Sequence, residues 1–415
     1  MVSRDGTGAG YRQLMKQVEG LVGDIEAAEE AGGTIHVLVD AIIRRFRGAL
    51  GIYGGRLYRR QDDRYELVAT FPDARPVAGV WVSATYPPIE AVLDEGVVFM
   101  TPDDPRLERE FEASLGVEEF AAIEVGDGEF LLSFNLKPGT HREEILYSLG
   151  VIRHAINQKL RQVRFEAVFE EARKIQTSIL PRRVPRYGDF DFFGRTETME
   201  RVGGDFYDFI PLTDKILGIA IADVSGHGLP AALQVRDVYT GLRMGLARDF
   251  KIVRTVERLN QIIHRSTLTS RFVSMFYGEL ELAGIFIYVN AGHPPPFLVS
   301  AKGPVRFLEE GGAVLGPVAE ATYERGFVRM EPGDILVLYT DGLSEARCPG
   351  SPEQPHGEEF GVERLVRTVE ACRGQSAAAI GERLLAEVSA FTGKAPLQDD
   401  RTVVVITRTG IPQGS

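Results

Sequence analysis

The apolar residues of this chain change their spacing several times. From Tyr11 to about Leu50 they recur every three or four residues, the period of a helix, whereas over 51–69 and 121–136 they fall in short runs with turn signals such as Gly126-Asp127-Gly128. A mixed helix-and-strand domain is expected there. Between about Glu143 and Leu180 the pattern is helical throughout, with Ile152, Ile156, Leu160, Val163, Ala167, Ala172, Ile175 and Ile179 mostly three or four apart, until Pro181 and Pro185 end it. So long a helix with so narrow an apolar stripe suggests a parallel coiled coil joining two domains and two protomers; a helix packed on its own domain is the simpler alternative.

From Phe190 onward strands dominate. They are expected at 190–195, 205–210, 216–224, 272–282, 285–290, 335–340 and 402–408, with paired helices at 230–247 and 253–266 and again at 361–370 and 376–391. Strand clusters separated by helix pairs imply an α+β fold of two antiparallel sheets packed together with helices outside. The domain boundaries drawn from these shifts are 1–149, a helical linker at 150–181, and 182–410.

Composition narrows the function. The chain has 415 residues, 44% hydrophobic and 26% charged, with a formal charge of −12, which argues against non-specific binding to nucleic acid or an anionic membrane. Its two cysteines, Cys348 and Cys372, form no C-x-x-C pair, so neither a disulfide framework nor a cysteine zinc site is expected. The polar start at 1–10 and the shortness of every apolar run point to a cytoplasmic protein.

The candidate chemistry lies in four aspartates at strand ends. Asp205 follows Val202-Gly203-Gly204; Asp223 ends an apolar strand and leads into Val224-Ser225-Gly226-His227-Gly228; Asp341 sits in Tyr339-Thr340-Asp341-Gly342; Asp399 precedes Asp400-Arg401-Thr402. Each alone reads as an ordinary turn residue. Gathered at one place, they would repel one another unless a cation neutralised them, and an all-oxygen donor set selects Mg²⁺ or Mn²⁺ over zinc or copper. A pair of such ions would activate a water and clamp an in-line displacement at phosphorus.

In this order and with these neighbours, the four segments resemble the metal-dependent serine/threonine phosphatases of the PPM class (protein phosphatase 2C-like), in the bacterial branch typified by SpoIIE and RsbU. The resemblance covers about 166–409 and extends to Asn290-Ala291-Gly292-His293-Pro294-Pro295 and Gly357-Glu358-Glu359-Phe360-Gly361. It implies an α-β-β-α sandwich, two Mn²⁺ or Mg²⁺ ions held by Asp205, Asp223, Asp341, Asp399 and the Val224 carbonyl, and outer roles for Asp400, Asp208 and His227. It also implies a switch helix carrying Ile175, Gln176, Ile179 and Leu180, and as substrate a phosphorylated anti-anti-sigma factor of the STAS type. The N-terminal zone resembles a GAF sensor domain, which implies a small-molecule or protein ligand, and the linker helix a homodimer.

Other readings carry less. His227 is a conceivable general acid, His293 reads as a turn residue, and neither Arg195 nor Arg201 matches a phosphate-binding motif. Gly203-Gly204-Asp205-Phe206 departs from a diguanylate cyclase signature at the next two residues, Tyr207-Asp208, and that reading leaves the other three aspartates unexplained. A catalytically inactive phosphoprotein-binding scaffold and a broader-specificity serine/threonine phosphatase are the functional alternatives.

Overall fold

In the computed structural model the described residues are 50–72, 79–108, 119–226, 228–246, 251–266, 272–349 and 357–410, with separate helical positions between 16 and 46. The chain divides into two compact units, 1–167 and 168–415.

The N-terminal unit is built on a six-stranded antiparallel sheet of β1 (Ile52–Gln61), β2 (Arg64–Phe71), β3 (Trp81–Ser83), β4 (Val97–Met100), β5 (Phe120–Val125) and β6 (Phe130–Leu136), in the order β3-β2-β1-β6-β5-β4. Both faces are covered, which is why β5 and β6 read as nearly continuous apolar runs. One face packs Leu57, Ile123, Leu132 and Phe134 against Val18, Leu21, Ile42 and Phe46 and against Ile145, Leu149, Ile152, Ile156 and Leu160 of helix α2 (Arg142–Ile179). The other packs Tyr58, Leu67 and Leu131 against Val92 of helix α1 (Pro87–Glu95). Helix α2 thus begins earlier than the linker expected at 150–181, and its first half is core of this unit. The division between units falls within it. Short β3, β4 and α1 escaped the sequence pattern; the helical pattern at 11–50 lies largely outside the described residues.

The C-terminal unit stacks two sheets. The first contains β8 (Asp205–Thr213), β9 (Ile216–Val224), β10 (Val273–Glu281), β11 (Ile285–Ala291) and β14 (Gly311–Gly312) in the order β14-β11-β10-β9-β8, with β15 (Gly326–Arg329) also on β11. The second is β13-β12-β16-β17-β7, built from β7 (Phe190–Glu197), β12 (Phe297–Val299), β13 (Arg306–Phe307), β16 (Ile335–Tyr339) and β17 (Arg401–Arg408). All pairings are antiparallel except the short β11–β14 contact.

Three apolar layers hold the sandwich. Leu217, Ile219, Phe276, Leu338, Val404 and Ile406 fill the space between the sheets. Outside the first sheet, Val235, Val238 and Leu242 of α3 (Leu229–Leu246) and Val256 and Leu259 of α4 (Ile252–Arg265) cover Ala220, Ala222 and Met275. Outside the second, Leu365 and Val369 of α6 (Val362–Ala371) and Ile380, Leu384 and Val388 of α7 (Ala377–Thr392) cover Val337, Val403 and Val405. A short helix, α5 (Asp341–Ser344), follows β16 directly. The α+β, helix-sheet-sheet-helix layering expected from the alternation of strand clusters and helix pairs is present, with long-element boundaries within a few residues of those read from the sequence.

Because Leu338 is fully buried between the sheets, Leu338→Ala is expected to lower the stability of the C-terminal unit by about 2–5 kcal/mol. Urea denaturation followed by circular dichroism measures it. A loss below about 1 kcal/mol would show that the two sheets do not share this core.

Candidate metal centre

Strand alternation decides which way each aspartate faces. Tyr207 and Phe209 of β8 and Leu217, Ile219 and Ile221 of β9 lie between the sheets, so Asp205 and Asp223 belong to the same inter-sheet face. The two are direct partners in the β8–β9 ladder. On the facing sheet Leu336 and Leu338 of β16 are followed by Thr340, and Val404 and Ile406 of β17 are preceded by Thr402 and Asp400 at the same parity. Four strand ends therefore meet at one rim of the sandwich. Thr340 joins them: its Oγ1 donates to Asp205 Oδ2 at 2.7 Å and accepts from the Thr402 N–H at 2.9 Å.

Asp341 opens α5 just beyond, and exposed Asp399 accepts the Asp400 N–H on Oδ1 at 2.8 Å. A cavity of about 140 Å³ beside them is lined by Asp341, Glu345, Arg347, Asp399 and Arg401.

The electrostatics are those of crowded like charges. Burial, then the charge of Asp223, raises the Asp205 carboxyl well above the usual carboxylate range, and hydrogen bonds from Thr402 and Thr340 oppose this. Asp223 is pushed up to about 7 by burial and by Asp341, Asp399 and Asp400. Asp341 rises through burial, then through Asp399 and Glu345. Three arginines are committed elsewhere: Arg195 to Glu382, Arg243 to Asp208 and Arg347 to Glu359.

Among the described residues no three or more His, Cys, Asp or Glu side chains stand close enough to form a ready-made cation-binding group. The carboxylates share a rim and sense one another without converging on one point. Oxygen-only donors with raised pKa values are nevertheless the donor chemistry that suits a hard divalent cation, whose charge would remove the repulsion that separates them. Asp205, Asp223, Asp341 and Asp399 could hold such ions, together with the Val224 carbonyl, which lies beside Gly204.

Asp400 has a different position. It is buried, its Oδ1 accepts from Met199 N at 2.7 Å and its Oδ2 from Gly204 N at 2.6 Å, so it braces the loop that delivers Asp205. Its closeness explains two glycines. A Cβ at Gly203 would lie 2.1 Å from Asp400 Oδ2, and one at Gly342 1.9 Å from the Asp400 carbonyl oxygen. Neither glycine has positive φ; they are required by close approach, not by backbone conformation.

The remaining candidates separate. Asp208 lies on the opposite face of β8 from Asp205, where it pairs with Arg243 of α3 at 2.7 Å, so it does not serve as an outer neighbour of the carboxylate rim. His227 lies outside the described residues. His293 lies in the connection between β11 and β12 and is buried: its Nδ1 is 2.9 Å from Ser274 Oγ, and burial depresses its pKa to about 3. On α2, Ile175 is exposed, Ile179 and Leu180 are partly buried against the C-terminal core, and Gln176 is buried. Gln176 grips Gly203 at both polar groups, Nε2 to the carbonyl oxygen at 2.5 Å and Oε1 from the N–H at 3.1 Å. Thr340 and Thr402 were not assigned roles from sequence, and Gln176 was expected on the switch helix without Gly203 as its partner. The signal available was a polar side chain at an inward parity position, as Thr340 is at the end of Ile335–Tyr339.

Comparison with known proteins finds relatives of the C-terminal unit. The family described as stage II sporulation protein E (SpoIIE) matches residues 213–409, which include Asp223, Asp341 and Asp399 but not Asp205. The phosphoserine phosphatase RsbU of Bacillus subtilis is 30% identical over 217 residues, covering 51% of this chain and 64% of that protein. The C-terminal unit is similar to SpoIIE-type PP2C domains. Protein IcfG of Synechocystis is 27% identical over 290 residues, 60% of this chain and 44% of its own length. The solved SiaA PP2C domain of Pseudomonas aeruginosa shares the fold, with a TM-score of 0.52 at 20% identity over 60% of this chain and 98% of that domain. The chain spans less than two thirds of the length of these two curated relatives.

Crowding at the rim has a stability consequence. The folded pKa of Asp223, about 7, lies above the value of about 3.9 of an unfolded chain. Its stabilising protonation is thus complete below the unfolded pKa and is lost as pH rises through 7. Without divalent cations, the C-terminal unit is expected to melt at falling temperature from pH 5 to pH 8, and Asp223→Asn to flatten part of that slope. Thermal melts in chelator check this; an unaltered slope would mean that Asp223 is not electrostatically crowded.

Proposed function

We propose that the C-terminal unit is a metal-dependent protein phosphatase acting on phosphoserine or phosphothreonine. The observation that carries this reading is the rim of Asp205, Asp223, Asp341 and Asp399, which gathers negative charge at the ends of two facing sheets without an ion-pair partner among the described residues. The match to RsbU, described as a phosphoserine phosphatase, supports it.

The four aspartates and the Val224 carbonyl would hold two Mn²⁺ or Mg²⁺ ions. Bound there, the ions would activate a water and stabilise the charge of in-line displacement at phosphorus. The chain's own groups supply the rest. Thr340 orients Asp205 through its 2.7 Å hydrogen bond, and Asp400 fixes the Gly203–Gly204 loop. Arg401, on the wall of the cavity next to Asp341 and Asp399, brings positive charge to where an anionic ester would enter.

Regulation fits the same frame. We read the N-terminal unit as a GAF-like sensor, supported by its antiparallel sheet with helices on both faces, and α2 as the switch element, with Gln176 as the residue that reports helix position to the Asp205 loop. Exposed Phe165, Val168 and Ile175 on α2 recur at heptad-compatible spacing and favour a homodimer through this helix. The substrate we favour is a STAS-type anti-anti-sigma phosphoprotein in a cytoplasmic partner-switching pathway. Among the described residues no helix is long and apolar enough to cross a membrane.

With Mn²⁺, the full chain is expected to hydrolyse a phosphoserine peptide, and Asp223→Asn to reduce the rate by at least about a hundredfold, in the range of other lost electrostatic contributions. Hydrolysis unaffected by chelator or by the variant would sink the enzyme reading; absence of hydrolysis on any phosphoprotein would favour a binding scaffold. Equal rates on a phosphorylated STAS protein and on unrelated phosphopeptides would favour a broad-specificity enzyme.

Gln176→Leu keeps side-chain size but removes both hydrogen bonds to Gly203. It is expected to lower the rate at least about tenfold, roughly the 1.4 kcal/mol of one such contact, and to raise the Mn²⁺ concentration needed for half-maximal activity. An unchanged rate and metal requirement would remove α2 from the control of the site.

A further inference from the structure

A second candidate site lies in the N-terminal unit. Arg56, in the middle of β1, is 6% exposed, and its guanidinium faces the space between the sheet and α1. Nη2 donates to Ser133 Oγ at 3.2 Å and reaches Asn135 Oδ1 at 3.4 Å, whereas Nε and Nη1 have no hydrogen-bond partner. No ion pair of Arg56 occurs among the described residues. Glu124, a buried carboxylate on the same face, is engaged by Arg153 at 2.5 Å and by the Gly128 N–H at 2.5 Å. A permanently charged group is thus held in an apolar interior with three of its five N–H donors unused, an arrangement that burial penalises unless an anion completes it.

The surroundings define which anion. A cavity of about 40 Å³ adjoins Arg56 and Ser133; Tyr58 and Tyr86 also line it, and the rest of its wall is apolar, with Val82 of β3, Ile89 and Val92 of α1, and Leu131 of the sheet. That volume is about three times the roughly 10–15 Å³ needed to admit a single water, and so suits a group of a few heavy atoms. A hydrated inorganic ion would leave the aliphatic wall unused, and a dianion would meet one cation only.

We propose that this cavity binds a short-chain monocarboxylate, its carboxylate on Arg56 and Ser133 and its alkyl end against Ile89, Val92 and Leu131. The contacts divide the recognition: the guanidinium selects charge, and the wall formed by α1 selects size. Because α1 supplies that wall, occupancy bears on how α1 packs on the sheet, which gives the N-terminal unit a ligand-dependent element. The link from this site to control rests on the sensor reading above; the binding does not.

The test uses the full chain and no enzymatic readout. Acetate, propionate and butyrate are titrated by calorimetry at constant ionic strength, with butyramide and chloride as controls, on wild type and on Arg56→Met. Saturable binding of at least one carboxylate, no binding of butyramide, and a loss of at least about tenfold in Arg56→Met, the size of one charge-assisted hydrogen bond, are expected. No saturable carboxylate binding, equal binding of butyramide, or full competition by chloride overturns the proposal. If Arg56→Met does not fold by circular dichroism, the comparison of butyrate with butyramide on wild type still decides it, and Val92→Trp, which fills the cavity from α1, must abolish binding. Failure here leaves the phosphatase reading untouched, since Mn²⁺-dependent hydrolysis is measured separately.

Discussion

Like charges brought together at the rim of a two-sheet sandwich are the constraint around which the C-terminal unit is organised. Asp205 and Asp223 oppose each other across one ladder, and Asp341, Asp399 and Asp400 arrive from the other sheet. Burial and mutual repulsion raise the pKa values of Asp205, Asp223 and Asp341. Such a cluster has no reason to persist on stability grounds, because apolar residues at the same positions would pack at lower cost. The surrounding structure works to keep it in place: Thr340 bridges the sheets, Asp400 holds two backbone N–H groups, and Gly203 and Gly342 vacate the space that Asp400 occupies.

That bracing gives α2 its significance. The loop before Asp205 has two external supports, Asp400 on one side and Gln176 on the other, and Gln176 belongs to a helix that continues into the N-terminal unit. One side chain thus connects a long helix to the backbone next to a carboxylate of the rim. A buried amide satisfied at both ends holds one helix rotation and register well and any other poorly, which is the property a two-state control element needs.

The long elements were legible in the sequence because their apolar periods are unambiguous: Ile216–Val224 was bounded correctly, and α3, α4, α6 and α7 to within about a residue. Short β12, β13, β14 and β15 were not, since two to four residues cannot display a period. The aspartates were legible as strand-end residues next to glycine, but the direction each faces depends on register and parity, which is why Asp208 looked like a neighbour of Asp205 and proved to face α3. Gln176 and Arg56 illustrate the remaining limit. The switch helix was expected to carry Gln176 but not its partner, and an arginine in a strand looks solvated; only tertiary packing shows that Gln176 reaches Gly203 and that Arg56 is enclosed with no carboxylate partner among the described residues.

The central claim is that a divalent cation answers the repulsion at this rim. Calorimetric titration of the full chain with Mn²⁺ at neutral pH, repeated in buffers of different ionisation enthalpy, measures both binding and the protons it displaces. The account predicts saturable binding accompanied by proton release, because the carboxyl of Asp223 is pushed up to about 7 and a cation bound beside it would favour the ionised form. Absence of saturable binding, or binding without proton release, would contradict it.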